Sequence, residues 1–160
     1  MYDLTDLIFE KYTEGKLTEE KMMLLLEASS ISLEWHDLPF KYKGVKLCYY
    51  KDEINEKTDI PYIKNALKIL NSSKCQSMIE ATISQLDEYA DEWGCPPDYR
   101  KYMKLDYVTV DRYDGKITFT INWNSIRSNA TTKFFGGHMY SVDVTIDGNN
   151  ITKIRGYLSG

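Results

Sequence analysis

In the first thirty residues the apolar positions Leu4, Leu7, Ile8 and Tyr12 recur three and four apart, the spacing that lines one side of a helix. Gly15 interrupts this run, and Thr18 ahead of Glu19 and Glu20 provides a side-chain cap followed by acids that suit a helix start. Residues 1–30 are therefore expected to form a helical hairpin. Its second helix carries the run Met22 to Leu26, apolar on every side, which requires a covering surface from the main domain or from another chain.

Beyond residue 30 the period shortens. Ile31, Leu33 and Trp35 alternate, Phe40 follows, and Val45 to Tyr50 comes after Lys43-Gly44, a pattern of two short strands joined by a turn. Lys51 to Thr58 reads as a polar loop. Asp59 before Ile60-Pro61 then marks a helix start, with proline in the first turn, where it is tolerated, and Ile63, Ala66, Leu67 and Leu70 as the buried stripe. A further helix is expected over 78–93, with Ile79, Ile83, Leu86, Ala90 and Trp93 on one side and Gly94 and Pro96-Pro97 as its stop.

From Leu105 onward the period is two. Ile117, Phe119, Ile121 and Trp123 alternate with polar residues after the Asp114-Gly115 turn, and Tyr140, Val142, Val144 and Ile146 do the same before Asp147-Gly148; both are hairpin signatures. Helices followed by strands predict an α+β domain, with helices packed on one face of an antiparallel sheet that ends in a β-meander. Trp93 and Trp123 are expected in the core between them. The stretch Asn124 to Gly137, linking the two hairpins, has weak periodicity and is long for a connector.

Composition adds bounds rather than a class. The 160 residues are 42% hydrophobic and 28% charged, ordinary for one globular core. No apolar run reaches the ~20 residues of a membrane span. Residues 1–6 lack the basic and apolar regions of a signal peptide, so a cytoplasmic location is expected. Cys48, Cys75 and Cys95 are odd in number and widely separated, which fits reduced thiols better than disulfides or a zinc site.

The net charge of −4 comes from residues 1–30, where seven acids meet three bases. A second acidic stretch, Cys75 to Tyr99, contains Glu80, Asp87, Glu88, Asp91, Glu92 and Asp98 without any Lys or Arg. Phosphate recognition needs clustered bases, so nucleic acid is not the expected partner. A basic protein would suit such a face, although solvated helix surfaces carry the same pattern.

The runs Leu105 to Val110, Ile117 to Trp123, Phe135-Gly136-Gly137-His138-Met139-Tyr140-Ser141-Val142 and Ile154-Arg155-Gly156-Tyr157-Leu158-Ser159-Gly160 resemble, in their order, a bacterial family, domain of unknown function 2262. The resemblance covers about residues 31–160, with 1–30 as an addition and an extra glycine between Phe135 and His138. It implies a fold and no activity.

Candidate chemistry is sparse. His36 and His138 are the two histidines; His138 after Gly136-Gly137 could sit at a sheet rim as a base or ligand, but no partner carboxylate is evident, and His36 reads as a surface residue. No phosphate loop, dinucleotide fingerprint or nucleophile elbow occurs. Adjacent carboxylates such as Asp87-Glu88 and Asp91-Glu92 point apart on a helix and read as solvated. The thirteen tyrosines, with Tyr99, Tyr102, Tyr107 and Tyr113 near the start of the sheet, favour contact with another protein. The expected function is a non-enzymatic protein-binding module without cofactor or metal, such as a bacterial immunity protein or a phage-encoded inhibitor. Its binding residues are expected to be Arg127, Lys133, His138, Tyr99 and Tyr102. The alternative is a small-ligand binder or enzyme using the sheet rim near His138.

Overall fold

A computed structural model describes residues 4–51, 53–92, 95–125 and 139–159. Among them the chain is α+β: four α-helices and a six-stranded, mostly antiparallel sheet. It divides into two compact units, Met1–His36 and Asp37–Gly160.

In the first unit α1 (Leu4–Thr13) and α2 (Glu19–Glu34) contact one another. Gly15 has a φ of 75°, and Thr18 Oγ1 accepts the Lys21 N–H at 3.2 Å, the cap expected of it. Ile8 and Met22 are buried, while Met23, Leu24 and Leu25 are exposed. Ile31 and Leu33, expected in a strand, lie in α2 instead. Between Gly15 and Pro39 the sequence has neither glycine nor proline, so nothing halts the helix, and a β-branched residue within it costs only tenths of a kcal/mol, up to ~0.7.

The second unit holds the rest of β1 (Trp35–Tyr42), then β2 (Val45–Tyr50), α3 (Glu56–Leu70), α4 (Ser73–Ser84), β3 (Met103–Tyr113), β4 (Lys116–Ser125), β5 (Met139–Asp147) and β6 (Asn150–Ser159). Spatial order follows chain order from β1 to β6. Pro39 is accommodated because β1 is an edge strand. The turns Lys43-Gly44 and Asp114-Gly115 have positive φ at both residues, the geometry that matches strand twist.

β2 and β3 pair in parallel, Leu47 with Val108 and Cys48 with Thr109; parallel neighbours need a long crossover, here the segment that carries α3 and α4. β3 to β6 form the antiparallel meander. Alternate strand residues (Val108, Val110, Ile117, Phe119, Ile121, Val142, Val144, Ile146) join Ile63, Ala66 and Leu70 of α3 and Ile79 and Ile83 of α4 in one core. All three cysteines are free thiols.

Two helix ends differ from the pattern in the sequence. α3 starts at Glu56, capped by Asn55, whose side chain accepts the Lys57 N–H. Asp59 is one turn inside, where Oδ2 accepts the Asn55 N–H at 2.8 Å and Oδ1 meets Arg112. An aspartate serving a helix's first turn from within resembles a cap in sequence. At the other end, α4 stops at Ser84 and tightens into a 3-10 turn, Gln85–Glu88, yet Leu86 and Ala90 remain buried. The apolar period thus outlasts the α-helix. Trp93 lies outside the described residues, and Trp123 is half-buried, packed against the core with its ring 6.3 Å from that of Tyr140.

Candidate functional site

Successive strand residues point to opposite sides, so each strand that places an apolar residue in the core turns its neighbours to the other side. On β3 to β6 these are Tyr107, Thr109 and Asp111, then Thr118, Thr120 and Asn122, then Ser141, Asp143 and Thr145, then Lys153, Arg155 and Tyr157. Register brings Thr120 opposite Asp143 and Asp143 opposite Arg155. Asp143 Oδ1 accepts the Thr120 hydroxyl at 2.8 Å and the Tyr157 hydroxyl at 3.0 Å. The Arg155 guanidinium stacks over the Tyr157 ring at 4.7 Å.

Beside this hub, Ser141 donates to Asn122 Oδ1 at 2.6 Å, and Asn122 Nδ2 donates to the carbonyls of Tyr107 and Thr120. Both residues are buried and hydrogen-bonded, so they stiffen the surface.

Every resolved shift of an acid on this side is upward, toward the protonated form. Burial, then the Asp143 charge and hydrogen bond, push Tyr157 up to about 12. Burial followed by Asp143 raises Asp111, and burial followed by Asp111 raises Glu53. The Cys48 thiol donates to the Val108 carbonyl at 3.5 Å and is pushed up to about 11 by burial and then by Asp37. A nucleophile is activated by the opposite change. This arrangement presents hydrogen-bonding groups and aromatic area in fixed positions.

A second cluster gathers around Arg100. Its guanidinium bonds Glu80 and the Ser84 hydroxyl and lies 3.6 Å from Asp87, while the Tyr99 hydroxyl donates to Asp87. Arg100 thus reaches back over the stretch that has no base of its own in sequence and neutralises part of it. Tyr99 is 3% exposed and is pushed up to about 12 by burial and then by its bond to Asp87. Tyr102 is half-buried against the core.

Of the other expected residues, Arg127, Lys133 and His138 lie outside the described residues. His36 is exposed on β1. Among the described residues no group of three or more His, Cys, Asp or Glu could hold a metal ion, and no helix is long and apolar enough to cross a membrane. Sequence reasoning missed Thr120, Asp143, Arg155 and Tyr157. Their outward parity was legible, but their convergence depends on strand register.

No family model, no curated protein and no solved structure matches this chain.

Proposed function

We propose that this chain is a non-enzymatic protein-binding module of the kind represented by bacterial immunity proteins and phage-encoded inhibitors, on a fold that resembles domain of unknown function 2262. In this reading α1 and α2 form a hairpin extension, α3 and α4 cover one face of the sheet, and the opposite face is left for recognition. The observation that carries it is the set of outward side chains around Asp143. They are polar and tyrosine-bearing, held by cross-strand hydrogen bonds, with their hydroxyls and thiol in unreactive forms. Rigid tyrosines with a polar tip make efficient protein contacts because few torsions are frozen on binding.

Arg127, Lys133 and His138 belong to this proposal as the adjoining loop. A tagged full-length chain mixed with lysate of its host is expected to retain a stoichiometric protein that can be identified and rebuilt into the complex from purified components. Replacing the three loop residues together by alanine is expected to weaken that complex about tenfold, about 1.4 kcal/mol. Recovery of the chain with a bound metabolite and no protein would instead favour a small-ligand site at the sheet rim near His138.

A further inference from the structure

β6 stands at the end of the sheet opposite β1. One side of its ten residues pairs with β5 from Asn150 to Ser159, and the single irregularity falls near its start, leaving Lys153 to Ser159 in regular register. Its other side pairs with no strand among the described residues. Exposed edges of this length are usually blunted by proline, a bulge, a short strand or charged side chains, because they offer a row of backbone donors and acceptors to another chain, and on β6 the charges are those of Lys153 and Arg155. Here proline is absent.

Next to this edge, Met78, Ala81 and Thr82 of α4 and Ile151 to Ile154 of β6 wall an open groove of about 360 Å³. Met78 is 37% exposed beside it. α4 is drawn close to the strand at Gly156, where the Tyr140 hydroxyl passes to reach the Thr82 carbonyl at 3.2 Å. Lys153, at the rim of this groove, and Arg155 beyond it are exposed and carry no ion pair among the described residues.

We propose that β6 is the docking edge, and that its ligand is an extended segment of a partner protein in which acidic and apolar residues alternate. The segment adds as a further strand beside β6. Its acidic side chains lie across from Lys153 and Arg155, and its apolar ones fall on the side of Ile154 and Met78, in the groove with α4. Charge selects this occupant. Antiparallel pairing of two copies of β6 about Ile154 would set Lys153 against Arg155, and like charges directly opposite are destabilising. This inference rests on the protein-binding reading and names its surface.

The test uses the full chain and a fluorescent synthetic peptide of alternating Glu and Val, with a Lys and Val peptide as comparison, followed by anisotropy. The intact chain is expected to prefer the Glu and Val peptide. The K153E/R155E variant is expected to stay folded at a somewhat lower melting temperature, because the change at 155 sets an acid opposite Asp143 and ends the stack on Tyr157, to lose about tenfold in affinity for that peptide, about 1.4 kcal/mol, and to favour the Lys and Val peptide. Absence of binding, equal affinity for both peptides, or unchanged affinity in the variant would overturn the proposal, as would a dimer of the intact chain protected from hydrogen exchange along β6. If a reconstituted natural partner bound the intact chain and the K153E/R155E variant equally, the protein-binding reading would stand and β6 would be excluded. If neither peptide nor any protein bound, both would fall.

Discussion

Gly156 offers a sharp test of how α4 is fixed to the sheet. A Cβ at this position would lie 2.1 Å from the Tyr140 hydroxyl oxygen and 2.8 Å from Thr82 Cγ2. Contacts of this kind ordinarily sit at about 3.5–4.0 Å, so Gly156→Ala must displace the tyrosine tip by more than about 1 Å. Tyr140 is 3% exposed and its hydroxyl donates to the Thr82 carbonyl; moving it strains a packed core, at about 1–3 kcal/mol, and gives up a partly buried hydrogen bond, at about 1 kcal/mol. The expected loss is about 2–4 kcal/mol. Tyr140→Phe alone removes the hydroxyl and should cost about 1 kcal/mol. In that background the closest atom is gone, so Gly156→Ala should cost about 1–2 kcal/mol less than in the native chain. Urea unfolding of the four proteins, followed by tryptophan fluorescence, reads both quantities. A Gly156→Ala loss under about 0.5 kcal/mol, or strict additivity of the two changes, would show that the Tyr140 hydroxyl does not exclude a side chain at position 156.

Asp59→Ala should destabilise by about 1.5–3 kcal/mol in urea titration, because Asp59 is 5% exposed and its removal takes a charged partner from Arg112 and an acceptor from the Asn55 N–H; a loss below about 0.5 kcal/mol would show that the pair is well solvated. Tyr99 and Tyr157, both pushed up to about 12, ionise near pH 10 once unfolded. The stability they confer is therefore fully present below about pH 10 and lost as the pH rises towards about 12, which tyrosinate absorbance and denaturation at several alkaline pH values would show; uniform titration of all tyrosines near pH 10 would contradict it. A chain starting at Asp37 should still unfold cooperatively, since Asp37–Gly160 is a compact unit with its own core; loss of folding on truncation would show that the amino-terminal helices are required.

Alternation made the core side of the sheet readable: Val108, Val110, Ile117, Phe119, Ile121, Val142 and Val144 all occupy it. Local chemistry likewise marked the Thr18 cap and the Lys43-Gly44 and Asp114-Gly115 turns. What escaped were features decided by distant partners. Asp59 looked like a cap because its bond to Arg112 spans 53 positions, and the parallel pairing of β2 with β3 leaves no mark in either strand. The early end of α4 was hidden because Leu86 and Ala90 keep the helical period after the backbone tightens. The Asp143 hub needs residues from three strands, whose outward positions were legible and whose register was not. Arg127, Lys133 and His138 were singled out by residue type and by their place between the two hairpins, and the described residues do not include them.

In the proposed reading this surface serves recognition of another protein rather than chemistry on a small molecule. Native mass spectrometry of the tagged full-length chain, isolated from its host at physiological salt, measures this directly. The expected species is a complex of one chain with one further polypeptide, which purified components re-form. A chain found alone with a tightly held small molecule, and no polypeptide partner, would contradict it.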